Sequence, residues 1–303
     1  MTETLFPRVA VIGIGLIGSS LALAMRAHGL AATIVCGDTD KMNVGKAIEL
    51  EIVDGGSRNN AEAVKDADLV VLATPVGALS KVAAEIAPYL KKGCVVIDVG
   101  SVKESVAKAI APCIPEGVAF IPCHPIAGTE YSGPEAGFAE LFQGKWCILT
   151  PPAGADDVAL EKVRRLWTLC GARAVCLSPE EHDRVLATVS HVPHMLAFTI
   201  MGTADDLAKD IGQDVIGYAG SSFRDFTRVA ASDPIMWRDI FLNNRDAVLE
   251  ILGRLKKDLD KLEAAVSKGD GAAMEAIFTR SRDLRRALAK PRLVEPPVIA
   301  EGL

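Results

Sequence analysis

The hydrophobic pattern changes character near residue 178. Before it, short apolar runs at residues 9–12, 33–36, 69–73, 95–99, 119–122, 147–149 and 174–177 alternate with stretches of helical spacing. This alternation predicts an α/β fold of Rossmann type, a doubly wound and mainly parallel sheet with helices on both faces. Runs 69–73 and 95–99 have the continuous apolar character of strands covered on both sides, and each gives way to small or turn-forming residues. Ligands of such a sheet sit beyond the carboxyl ends of its strands.

At Ser178-Pro179-Glu180-Glu181 an N-cap serine, a proline at the first helical position and a glutamate three residues after the cap form a capping-box signature. This sets the expected boundary between a dinucleotide-binding domain, 1–177, and an all-α domain, 178–303. Residues 179–209, 234–266 and 272–289 have helical patterns, with no convincing strand among them. Val248, Leu252, Leu255, Leu259, Leu262 and Val266 follow heptad spacing, a seam that packs another helix in the same subunit or in a partner. The proline-rich end, 291–303, lacks a period and is expected to be a loose arm.

Composition narrows the possibilities. With 303 residues, half of them hydrophobic, the chain can bury a sizeable core. A net charge of −6 gives no electrostatic footprint for nucleic acid, so an anionic ligand must be held by a local cluster. The uncharged run between Arg8 and Arg26 is broken by glycines and serines and reads poorly as a membrane span. Seven cysteines without a CxxC pair read as reduced thiols of a cytoplasmic protein, mostly core filler. Met1-Thr2-Glu3-Thr4 has no basic leader region, so the mature chain is expected to begin there.

Candidate chemistry begins at residues 9–18, where strand VAVI runs into GxGxxG and then an apolar helix. Gly13, Gly15 and Gly18 permit a tight turn, close approach of a pyrophosphate and close helix packing, and the helix N-terminus favours the negative charge. Asp38 follows at the end of the second predicted strand, placed to accept from both ribose hydroxyls, which favours NAD over NADP. Thr39 and Lys41 keep NADP open, since they could hold a 2′-phosphate if Asp38 turned away. Thr74-Pro75 and Asp98-Val99-Gly100-Ser101 end later strands on the edge where a nicotinamide would lie. The cofactor candidates are therefore Gly13, Gly15, Leu16, Ile17, Gly18, Asp38, Thr74, Pro75 and Ser101.

His124 follows another predicted strand, where a histidine could take the proton of an alcohol as hydride leaves the same carbon. By position alone, a hydrogen-bonded loop histidine is an equal reading. His191 and His194 lie three apart beside a helix-kinking Pro193, and no third ligand with sensible spacing accompanies them, so no metal is expected. Arg224 and Arg228, four apart among aromatics, suit carboxylate binding, with a solvated charged face as the alternative.

Taken together, VIGIGLIGSSLA, DVGSVK, HPIAGTE, SHVPH and FRDFTRVAASDPIMWRDI resemble the prephenate and arogenate (cyclohexadienyl) dehydrogenases of tyrosine biosynthesis, from Val9 to about Leu262. The resemblance implies oxidative decarboxylation of prephenate or arogenate with hydride transfer to NAD(P). It implies that Ser101 and His124 contact the substrate's ring hydroxyl, His124 as hydrogen-bond acceptor. It further implies that His194 lines the pocket and Arg228 binds a substrate carboxylate, with Thr129, Glu130, Arg224 and Trp237 nearby. A homodimer through the helical domain is expected, with any regulation by tyrosine acting through competition at the active site. Neither the chorismate mutase fused to some members nor the small C-terminal regulatory domain of others is expected. Two rivals remain: a β-hydroxyacid dehydrogenase, whose usual catalytic lysine has no match at Lys209, and a non-catalytic dinucleotide sensor, which should have lost His124 or Arg228.

Overall fold

The computed structural model describes residues 4–129 and 131–288. Glu130 and the arm at 291–303 lie outside the described residues. The chain packs as two compact units, Met1–Val248 and Leu249–Leu303.

In the first unit the opening order is β1 (Phe6–Ile12), α1 (Leu16–Ala27), β2 (Ala31–Gly37), α2 (Lys41–Glu49), β3 (Gly55–Ser57) and α3 (Asn60–Ala63). β4 (Leu69–Leu72), α4 (Leu79–Ile86), β5 (Val95–Asp98), α5 (Glu104–Ile110) and β6 (Ala119–Phe120) complete the main sheet. It has six strands in the order β3-β2-β1-β4-β5-β6, all parallel. The order reverses between β1 and β4, so the glycine loop after β1 opens onto the crevice where such sheets bind ligands.

Strand periodicity explains the two-sided core. Val9 and Val11 of β1, Leu69 and Val71 of β4, and Val95 and Ile97 of β5 enter one apolar cluster with Met25, Phe142 and Trp167. Their neighbours Ala10, Ile12, Val70, Leu72 and Val96 enter the other, with Leu79, Ile86, Val106 and Ile110. Each large side chain so buried contributes roughly 1.5–3 kcal/mol.

The sequence reading places runs 147–149 and 174–177 in the main sheet, and the structure corrects this. β7 (Cys123–Pro125), β8 (Trp146–Leu149) and, after α6 (Asp157–Leu169), β9 (Arg173–Cys176) form a separate three-stranded sheet, antiparallel at β7–β8 and parallel at β8–β9. His124 therefore lies within a strand rather than in a loop.

Beyond β9 the described residues are helical: α7 (Pro179–Leu186), a π turn at Ala187–His191, α8 (Val192–Ile211), α9 (Ser221–Thr227) and α10 (Pro234–Asn243). The expected capping box is formed, with Ser178 Oγ accepting from Glu181 N–H and the Glu181 carboxylate accepting from Ser178 N–H. The π turn directly before Val192-Pro193 interrupts what reads as one helix at 179–209. Pro179–Ile211 is also long and apolar enough to cross a membrane by length and composition. Its first half nevertheless sends His182, Asp183 and His191 into the protein interior.

α11 (Arg245–Lys268) crosses into the second unit, which also contains α12 (Gly271–Leu288). Along the heptad seam Val248 is buried, whereas Leu259 and Val266 are exposed, as are Phe278, Leu284 and Leu288. All seven cysteines are free, and five are buried.

Candidate active site

The glycine loop has the shape its sequence demands. Gly13 takes a positive φ of 91°, and a Cβ there would lie 2.7 Å from the Ala73 carbonyl. A Cβ on Gly18 would collide with the Gly13 carbonyl oxygen. Gly15 differs: a Cβ there would meet nothing within 4 Å, and α1, which it caps, has no side-chain cap and no acidic residue in its first turn. An open cradle at an uncapped helix N-terminus is what a pyrophosphate requires.

Asp38 stands beside this cradle, its Oδ2 accepting from Ile14 N–H at 3.0 Å and its Oδ1 from Asp40 N–H at 2.9 Å. Past β4, the buried Oγ1 of Thr74 has no hydrogen-bond partner among the described residues. Cradle, carboxylate and orphaned hydroxyl fit a nicotinamide dinucleotide laid along the carboxyl edge. Arg58, not singled out by sequence, joins the same edge, its Nε donating to the Thr39 carbonyl oxygen at 3.2 Å.

Lys103 and Asp98, both fully buried, pair at the end of β5. Asp98 Oδ2 also accepts from Gly100 N–H at 2.8 Å, and Lys103 Nζ donates to the Cys123 carbonyl oxygen at 2.7 Å. The turn bearing Ser101 is thereby fastened to the strand bearing His124.

His124 is 8% exposed, and its Nδ1 lies 2.8 Å from Nε2 of His182. His182 Nδ1 in turn lies 2.7 Å from Asp183 Oδ1. Nε2 of His124 makes no hydrogen bond among the described residues. Burial, reinforced by the neighbouring His182, Lys103 and His191, pushes the His124 imidazole well below its ordinary value. Burial also lowers His182, with Asp183 pulling the other way. A neutral imidazole with a free nitrogen can accept a proton.

His194 stacks on Trp237, with ring centroids 3.8 Å apart and planes at 23°, and its Nδ1 donates to the Ser190 carbonyl oxygen at 2.8 Å. Burial lowers its pKa, and the nearby Arg228 guanidinium pushes it further down. Val102, next to Ser101, is buried in one apolar cluster with Trp237 and Ile240, so α10 links the Ser101 turn to His194. His191 meets the same indole edge-on, with ring centroids 6.0 Å apart, its Nδ1 accepting from Asn244 Nδ2 at 3.0 Å.

The structure thus gathers His124 with the Ser101 turn, and Trp237 with His194, while Arg228 lies near His194 with its side chain exposed. It leaves Arg224 exposed without a side-chain hydrogen bond among the described residues, and Thr129 exposed, accepting only from Tyr131 N–H at 3.2 Å. Sequence reasoning misses His182, Asp183 and Asn244, and marks Asp98 and Lys103 only as parts of DVGSVK, without their pairing. A His-Asp dipeptide in the helix opened by the capping box, and the lysine ending DVGSVK, were the available signals. Among the described residues no cluster suits a metal ion.

Known proteins share this chain's sequence and fold. Residues 21–176 match the nucleotide-binding domain model of prephenate dehydrogenase, and residues 178–280 match its dimerization domain model. A cyclohexadienyl dehydrogenase of Zymomonas mobilis is 41% identical, over 97% of this chain and 100% of its own. A prephenate dehydrogenase of Bacillus subtilis is 32% identical, over 92% of this chain and 76% of its own. The crystal structure of an Aquifex aeolicus prephenate dehydrogenase, in complex with hydroxyphenyl propionate and NAD+, superposes with a TM-score of 0.86 at 33% identity, covering 94% of this chain and 98% of the other. The chain belongs to the prephenate dehydrogenase family.

Proposed function

We propose that the protein oxidatively decarboxylates prephenate, arogenate or both, yielding 4-hydroxyphenylpyruvate or tyrosine. The observation carrying this reading is a nearly buried His124 with a free Nε2, fastened through Lys103 to the carboxyl end of β5. When bound, the nicotinamide accepts a hydride from the hydroxyl-bearing carbon. His124 takes the hydroxyl proton, with Ser101 holding the same oxygen. Arg228, beside His194, binds a carboxylate and fixes the ring's orientation, with Trp237 stacked on His194. The carbonyl formed at the hydroxyl carbon withdraws electrons through the ring as the opposite carboxylate leaves as carbon dioxide, and aromatisation makes the step effectively irreversible.

The same reading assigns the cofactor contacts to Gly13, Gly15, Leu16, Ile17, Gly18, Asp38, Thr74, Pro75 and Ser101. NAD is favoured because Asp38 holds a carboxylate beside the ribose position. Thr39, Lys41 and Arg58 are the residues that would serve NADP. Exposed Leu259, Val266 and Phe278 support a homodimer through the helical domain, as does the dimerization model that matches there. The junction of the two matched models, next to the Ser178 capping box, supports a domain boundary at 177/178. Tyrosine, with a phenol in place of the cyclohexadienol, would compete at the active site. Free, mostly buried cysteines support a reducing, cytoplasmic setting.

Steady-state assays of prephenate and arogenate, each with NAD and NADP, test the reading. It requires reduced cofactor and carbon dioxide in equal amounts from at least one substrate. Cofactor reduction by a β-hydroxyacid without decarboxylation would favour the rival dehydrogenase.

A further inference from the structure

We propose that His182 and Asp183 are positioning residues that decide which nitrogen of His124 carries its proton, so that Nε2 meets the substrate hydroxyl as an acceptor. The inference rests on the reading of His124 as proton acceptor, and its ground is a chain of hydrogen bonds that runs in one direction. Asp183 reaches from α7 to the N-terminus of α5, which has no side-chain cap of its own. Its Oδ1 accepts from Lys103 N–H at 2.8 Å and its Oδ2 from Glu104 N–H at 2.9 Å. Both oxygens face backbone donors, so both act as acceptors. The Nδ1 of His182, 2.7 Å from Oδ1, must then donate.

A neutral His182 therefore offers a bare Nε2. The atom facing it at 2.8 Å, Nδ1 of His124, has to be the N–H partner. The lone pair of His124 is left on Nε2. A histidine free of such constraint can carry its proton on either nitrogen, and only one choice suits proton acceptance here.

The charged and titratable groups around the pair are Lys103 and Asp98 at the end of β5, Asp183 on α7 and His191 in the π turn. Burial keeps both imidazoles neutral near neutral pH. Protonation of His182 would reverse the chain: its Nε2 would donate, His124 Nδ1 would accept, and Nε2 of His124 would present N–H to the substrate. Loss of turnover on the acid side would follow from a residue that never touches substrate.

Long-range proton–nitrogen NMR of the imidazoles in the ligand-free protein tests this without any assay. His124 is expected in the Nδ1–H form. In His182→Leu, which offers no acceptor, that preference should disappear and kcat should fall about 10²-fold or more, with NAD affinity retained. His182→Gln puts a carbonyl oxygen near the lost nitrogen and should restore the Nδ1–H form and most of the turnover. Asp183→Asn, a smaller change, should weaken the preference if the leucine variant does not fold. An Nε2–H form in the wild type, or equal behaviour of the Gln and Leu variants, would overturn the proposal. The expected tautomer in a protein that turns over neither cyclohexadienol would uphold the relay and remove the function assigned to it.

Discussion

Lys103 Nζ donates to the carbonyl oxygen of Cys123 across 2.7 Å, one residue before His124. The same ammonium is paired with Asp98, and neither side chain has exposed surface. Desolvating two charges costs about as much as their attraction returns, so the pair contributes little net stability. Its role is geometric, because it holds the Ser101 turn against β7.

Lys103→Met should therefore be severe. It leaves Asp98 buried with an uncompensated charge, at a cost of roughly 3–5 kcal/mol. Urea unfolding checks this, and the double variant with Asp98→Asn should recover much of the loss while remaining poor in turnover. Equal stability of both variants would show that the pair is not electrostatically coupled.

Cofactor choice turns on Asp38. Asp38→Ser removes the charge that repels a 2′-phosphate, so the ratio of kcat/KM for NAD over NADP should fall at least about tenfold, equivalent to about 1.4 kcal/mol. An unchanged ratio in steady-state assays would shift attention to Arg58, Thr39 and Lys41.

Arg228→Ala should raise the KM for substrate about 10–100-fold, the loss of a charge-assisted hydrogen bond worth about 1.5–3 kcal/mol. NAD affinity, measured by calorimetry, should be untouched. Unaltered KM would leave Arg228 without a part in substrate binding.

Acid should loosen the fold through its buried histidines. An unfolded histidine titrates near 6.5, whereas burial pushes His191 down to about 4. Above pH 6.5 the group is neutral in both states and stability is full. Between 6.5 and 4 the unfolded chain binds a proton that the folded chain refuses, and roughly 3 kcal/mol is lost. His124 and His182, also lowered, act in the same direction. The Tm measured by calorimetry should drop across this window, less steeply in His191→Gln. An identical slope in that variant would exclude His191 as a source.

How far the sequence could be read differs from element to element. β1, β4 and β5 are legible because apolar, mostly branched side chains fill both faces, and the glycine loop because its spacing is stereochemically demanded. β3, Gly55–Ser57, has no large apolar side chain and pairs only at the sheet edge, so no pattern marks it. Runs 147–149 and 174–177 read as strands, but their pairing with each other, and of the first with Cys123–Pro125, is long-range and not encoded in periodicity. His124 and Arg228 were found through motifs. His182 and Asp183 were hidden because their neighbours in space, His124 and Lys103, lie 58 and 80 residues away along the chain.

The central claim is that His124 accepts the hydroxyl proton during hydride transfer. Turnover of His124→Asn tests it most directly, with Tm and NAD affinity measured on the same preparation. Asparagine keeps a polar group of similar reach but accepts no proton usefully at neutral pH. The account requires kcat to fall about 10²–10⁴-fold while Tm and NAD affinity hold. A near-normal kcat would contradict it and leave Ser101 or a water as the proton acceptor.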